Sequence, residues 1–209
     1  MNPWQVLEWL GWLGTLAFAA SGALMGVQKR FDLVGVLVLA GVTAVGGGSI
    51  RDIVVGSLPP QAFRHEAVLW VVFAVSLLVW RFYRRVERLE RPIYYLDTLG
   101  LGIFAALGAE RGFTFGLGFW GCVFAGTVSG VGGGVLRDLL TGQIPGIFYR
   151  NRDLYATAAA AGAALVYAIY RFLPDLAALA LVLGALTTIA LRLSSRWLGL
   201  RLPMPRIGS

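Results

Sequence analysis

Charge is scarce in this chain. Only 14% of its 209 residues are charged, 57% are hydrophobic, and the mean hydropathy is +0.72. Soluble domains are about one-quarter charged, so a soluble globule of this composition lacks the polar surface to cover itself. The chain belongs in the all-α polytopic membrane class. Histidine and cysteine are almost missing: there is one of each, His65 and Cys122. One cysteine excludes an internal disulfide, and its apolar surroundings make it a small buried side chain. One histidine excludes a His-cluster metal site. No CxxC, HExxH or Walker loop occurs, and no nucleophile–base pair, so neither an enzyme nor a bound metal or cofactor is expected. The first apolar run, MNPWQVLEWLGWLG, has no Lys or Arg ahead of it and contains Glu8. A signal peptide needs a positive n-region, so this run is read as a retained span.

A membrane span takes about 20 mostly apolar residues. Seven candidates are present: 5–27, 33–55, 67–83, 93–110, 115–141, 154–171 and 175–193. With seven spans, thirteen Lys and Arg residues fall on one side and three (Arg64, Arg111 and Arg171) on the other, leaving Arg51 and Arg137 inside spans. The Lys/Arg-rich side is cytoplasmic, which puts the N-terminus outside and the C-terminus inside a cell (inner) membrane. The net charge of +7 is thus a topology signal, and nucleic acid is not an expected partner. Glu110 and Arg111 are expected in an outer loop. The link RRVERLERP carries Arg84, Arg85, Arg88 and Arg91 after Arg81. It serves either as a topology signal alone or also as a site for anionic lipid.

Two stretches stand out, VGGGSIRDIVVGSLP at 45–59 and VGGGVLRDLLTGQIP at 131–145. They align without a gap at an offset of 86 residues, from Gly46 with Gly132 to Pro59 with Pro145. Upstream, FAASG at 18–22 matches FAALG at 104–108. This is a duplication. It predicts a first three-helix repeat over 5–91, a second over 92–171, a seventh helix over 172–193 and a cytoplasmic tail over 194–209. Three spans per copy is odd, so the second copy enters from the opposite face. Such inverted repeats are typical of solute-conducting proteins, whose sites lie on interrupted helices at the repeat interface.

The glycine triplets predict breaks in the second and fifth helices. Unsatisfied backbone groups are costly in hydrocarbon, so a break belongs against protein or beside a wet cavity. A close-packing kink with no conduction role is the alternative. Charge inside a span usually marks a pathway. The candidate pore-lining or gating residues are therefore Gly46, Gly47, Gly48, Ser49, Arg51, Asp52, Ser129, Gly132, Gly133, Gly134, Arg137 and Asp138, with Asp97 in the fourth span. Asp97, whose counterpart is Gly11, either attracts cations at a pore mouth or caps its helix. Adjacent Arg and Asp point about 100° apart on a helix, so each needs a distant partner. Pseudo-symmetry offers Arg51 with Asp138 and Arg137 with Asp52, the rival being caps at the helix ends. Thr43 and Thr127 are weaker candidates, because such hydroxyls often bond their own backbone. The run ATAAAAGAA at 156–164 predicts close helix packing.

Paired GGGxxRDxxxGxxP segments, with FAASGALMG and LDTLGLGIFAALGAERG, resemble the prokaryotic trimeric intracellular cation (TRIC) channels over roughly residues 5–193. Bacterial members of that family also carry a glycine-transporter-like name. The resemblance implies a homotrimer with a K⁺- and Na⁺-permeable pore inside each protomer, lined by the glycine-bearing helices with Arg51 and Arg137. The lipid site of animal members is not implied, because this chain has Arg-Asp where they have a lysine motif. The residues alone leave a cation channel, a carrier of glycine or another small amino acid, and a non-conducting scaffold open.

Overall fold

The computed structural model describes residues 3–83, 90–148 and 154–200. All regular structure among them is helical. The long helices are α1 (Pro3–Gln28), α2 (Leu33–Val54), α4 (Glu66–Phe82), α5 (Glu90–Thr114), α6 (Phe119–Leu140), α7 (Ala156–Phe172) and α8 (Ala177–Leu198), with a single turn, α3 (Gln61–Arg64), before α4. Five of them, α1, α2, α5, α6 and α8, are long and apolar enough to cross a membrane. The helix bounds fall within a few residues of most expected spans. α5 runs further, and Glu110 and Arg111 lie in its last turns rather than in a loop. Arg84, Arg85 and Arg88 of the basic link, and most of the tail, lie outside the described residues.

The glycine triplets do not break their helices. α2 runs unbroken through Gly46–Gly48 and α6 through Gly132–Gly134. Each helical glycine costs about 1 kcal/mol relative to alanine, but freeing backbone groups in hydrocarbon would cost more. The missing side chains serve a crossing instead. A Cβ on Gly47 would collide with the Ser129 carbonyl, and one on Gly133 with the Thr43 carbonyl. A Cβ on Gly132 would sit 2.7 Å from Gly47 Cα. Thr43 and Ser129 are themselves counterparts at the 86-residue offset, so the contact is reciprocal.

α1 and α5 flank this crossing. Phe18 of α1 and Phe104 of α5, again counterparts, stack with ring centroids 5.4 Å apart and planes 10° apart. α7 packs on α5 and α6, and α8 on α5, α7 and α1. Gly162 of α7, within the expected packing run, would place a Cβ 2.5 Å from the Gly184 carbonyl of α8. Thr188 Oγ1 donates across to the Ala158 carbonyl at 3.2 Å. Thr43 and Thr127 do bond their own helices, at the carbonyls of Leu39 (2.6 Å) and Val123 (2.7 Å).

Gly133→Ala is expected to destabilise the fold by about 1–3 kcal/mol through overpacking. Gly11→Ala, whose Cβ would meet nothing within 4 Å, should be neutral or slightly stabilising. Thermal unfolding in detergent compares the two, and equal melting temperatures would mean that the crossing is not close-packed.

Candidate functional site

Each RD motif ends its helix in the same way. Gly56 and Gly142 take φ of 77° and 68°, a left-handed conformation that glycine adopts without strain. The Ser57 N–H donates to the Asp52 carbonyl at 2.7 Å and the Gly56 N–H to Ile53 at 3.2 Å. On α6 the Gln143 N–H donates to Asp138 at 2.8 Å and the Gly142 N–H to Leu139 at 3.1 Å. These are Schellman closures. They fix the Arg-Asp pair in the last helical turn, where the arginine also complements the helix dipole.

All four charged side chains are buried. Arg51 donates through Nε and Nη2 to Asp52 Oδ1 at 3.0 and 2.8 Å. Arg137 repeats this toward Asp138 Oδ1 at 3.1 and 2.9 Å. The second carboxylate oxygen accepts a backbone N–H from the following loop, Gln61 for Asp52 at 2.8 Å and Gly146 for Asp138 at 3.1 Å. The expected exchange, Arg51 with Asp138 and Arg137 with Asp52, therefore does not occur. The Cβ directions do diverge, but the arginine side chain is long enough to fold back onto its neighbour. In a medium of low polarity the nearest carboxylate wins. Only hydroxyls link the repeats here: Arg51 Nη1 donates to Ser129 Oγ at 3.3 Å and Arg137 Nη1 to Ser21 Oγ at 2.8 Å.

The two pairs differ in their surroundings. Asp97, about two turns into α5 and 2% exposed, accepts from Arg137 Nη1 at 2.6 Å on Oδ1 and from Arg192 Nη1 of α8 at 2.7 Å on Oδ2. It caps no helix, so that expectation is set aside. Arg192, counted among the cytoplasmic basic residues, is buried here. Its guanidinium lies 4.3 Å from the ring centroid of Tyr155 and 4.9 Å from that of Tyr94.

Two cavities receive these groups. The first, about 490 Å³, is lined by the N-terminal half of α1 (Trp4–Thr15), the C-terminal part of α2 with Gly48, Arg51 and Asp52, and the C-terminal half of α5 (Phe104–Arg111). The second, about 420 Å³, is lined by the end of α1 (Met25, Gln28), the start of α5 (Glu90–Asp97), Arg137, Asp138 and the end of α8. The cavities thus sit at opposite ends of α1 and of α5. Thr15 and Met25 are ten residues apart, which is about 15 Å along the helix. Phe18 and the crossing of Gly47 with Gly133 occupy the interval. Gly46, Gly47, Ser49, Ser129 and Gly132–Gly134 line neither cavity. Sequence reasoning missed Arg192, Tyr155 and Ser21 as members of this cluster. Arg192 sits near the end of an apolar span, where arginine ordinarily serves topology.

A family model described as glycine transporter matches the chain twice, over residues 8–84 and 94–171. The chain belongs to the glycine-transporter family. The paired match coincides with the internal duplication. Over 202 residues, covering 96% of this family member and 93% of its relative, it is 50% identical to a UPF0126 membrane protein of Deinococcus radiodurans. It is 37% identical to the UPF0126 inner membrane protein YadS of Escherichia coli, over 95% and 96% of the two chains. A solved TRIC trimeric intracellular cation channel orthologue from Rhodobacter sphaeroides superposes with a TM-score of 0.87 at 35% identity, over 93% of this chain and 99% of that one. This glycine-transporter family member is a membrane protein with transmembrane helices and a TRIC-like fold.

Asp52→Ala leaves Arg51 buried without its carboxylate and the Gln61 N–H without its acceptor. The expected cost is about 3–5 kcal/mol, read as a lowered unfolding midpoint in detergent. A loss below about 1 kcal/mol would mean that water satisfies Arg51 in place of Asp52.

Proposed function

We propose that this protein is a monovalent cation channel, permeable to K⁺ and Na⁺, with a pore inside each protomer that joins the two cavities. The observation that carries this reading is their placement. Two cavities lie at opposite ends of α1 and α5, and each is lined by an ion-paired Arg-Asp pair contributed by one copy of the repeat. An isolated arginine repels cations. An arginine held against a carboxylate adds almost no net charge, so hydroxyls and carbonyls are left to coordinate the ion. Thr43 and Ser129 flank the crossing and supply such groups, and Glu8 and Glu110 on the first cavity concentrate cations. The stacked Phe18 and Phe104 and the glycine crossing block the path in this conformation. Conduction requires that α2 and α6 separate slightly and that the guanidiniums swing aside.

The wider architecture follows from the same reading. The spans are α1, α2, α4, α5, α6, α7 and α8, in two inverted three-helix repeats plus a last helix. α4 and α7 have 17 residues each, which is about 26 Å of helix and close to the bilayer core with modest thinning. The reciprocal contacts at the 86-residue offset support the inversion. The Lys/Arg-rich end, where the second cavity opens, faces the cytoplasm, with the N-terminus outside. The protein assembles as a homotrimer, as its solved relative does. Exposed apolar side chains such as Trp70, Trp120 and Leu186 meet lipid or neighbouring subunits.

A second reading, carriage of glycine or another small amino acid, is favoured by the family's description alone. Planar-bilayer recording of the purified protein in KCl separates the two. Discrete openings with a cation-selective reversal potential are expected, and Arg137→Ala and Asp138→Ala should each change unit conductance several-fold. Electrical silence together with saturable glycine uptake into liposomes from the same preparation would replace the channel with a carrier.

A further inference from the structure

The two repeats align without a gap around Arg51 and Arg137, yet the carboxylate that bonds Arg137 from α5 has no equivalent beside Arg51. Asp97 lines the second cavity, and its counterpart in the first is Gly11. With Arg137 as its one partner, this buried carboxylate would leave the second cavity with an excess of negative charge. The partner that offsets it comes from outside both repeats. Arg192 of α8 places Nη1 2.7 Å from Asp97 Oδ2. Its guanidinium lies against the rings of Tyr155 and Tyr94, and Arg196 follows at 3.9 Å from Tyr94. A carboxylate oxygen flanked by two aromatic rings is the chemistry of a cation site.

We propose that Asp97, Tyr94 and Tyr155 form a cation site at the α8 end of the pore, and that Arg192 fills it as a cation tethered to the protein, so that α8 sets the selectivity and the current symmetry of the channel. This rests on the channel reading. Among the charged residues lining that cavity, Arg137, Arg192 and Arg196 balance Glu90, Asp97 and Asp138. With Arg192 in place the cavity is neutral and Asp97 is occupied. With Arg192 neutralised, Asp97 is left facing the cavity with spare acceptor capacity. A negative cavity with walls of low polarity concentrates cations, and the freed Asp97 adds this effect at the α8 mouth alone, since its counterpart Gly11 carries no carboxylate.

The test is bilayer recording of the full-length protein, parent first. A silent parent overturns the channel reading itself, and the role of Arg192 in conduction falls with it. With a conducting parent, Arg192→Gln is expected to raise K⁺-over-Cl⁻ permeability roughly threefold through the freed carboxylate. In symmetrical KCl its current–voltage relation should shift from the parent's toward K⁺ flow from the α8 side. Guanidinium chloride added on that side should block Arg192→Gln and spare the parent. Arg192→Lys should restore parental selectivity. Arg192→Gln combined with Asp97→Asn should also restore it, which a purely structural role for Arg192 does not predict. Asp97→Asn alone leaves excess positive charge and should lower cation selectivity, so that variant decides the matter if Arg192→Gln fails to fold. A reversal potential and a current–voltage relation in Arg192→Gln unchanged from the parent, or a change that Asp97→Asn does not reverse, would overturn the proposal while leaving the channel reading intact.

Discussion

At the centre of the molecule two helix backbones touch. Gly47 on α2 and Gly133 on α6 lie so close to the opposing carbonyls of Ser129 and Thr43 that neither site has room for a methyl group. This approach sets the positions of the rest. It brings Arg51 within reach of Ser129, four residues before Gly133 on the facing helix. It also sends the C-terminal ends of α2 and α6, with their Arg-Asp pairs, to opposite ends of the bundle. α1 and α5 then pack along the crossing, their own Phe18 and Phe104 meeting face to face. Two cavities separated by a close-packed constriction are the geometric consequence of one contact made by residues without side chains.

The second constraint is electrostatic. Six charged side chains are buried around the two helix ends: Arg51, Asp52, Asp97, Arg137, Asp138 and Arg192. They form three positive and three negative groups, linked by ion pairs of 2.6 to 2.9 Å. Breaking a buried pair costs several kcal/mol, whereas the intact pair adds little net stability. Such groups are therefore poor glue. What they supply is a paired, polar lining on each cavity, which apolar side chains would not. The ends are asymmetric, with Asp97 and Arg192 on one side and Gly11 on the other, and the last helix supplies the arginine at one end alone.

The sequence by itself determined the helix positions, the duplication and the identity of the charged motifs. Apolar run length and an exact 86-residue offset are local, one-dimensional properties, and a membrane leaves a chain little choice but to form helices from such runs. The sequence also showed that Arg51, Asp52, Arg137, Asp138 and Asp97 fall within apolar spans. Tertiary structure alone decided how the triplets are used and who pairs with whom. Glycine permits a break and a close crossing equally. The choice fell to the crossing because a facing backbone, also stripped of side chains, was available to pack against. Adjacent Arg and Asp diverge at Cβ, and only the closure at Gly56 and Gly142 with the fold of the arginine chain lets them meet. Arg192 reaches Asp97 across 95 residues. No periodicity or spacing encodes that distance, because it exists only once α8 has docked against α5.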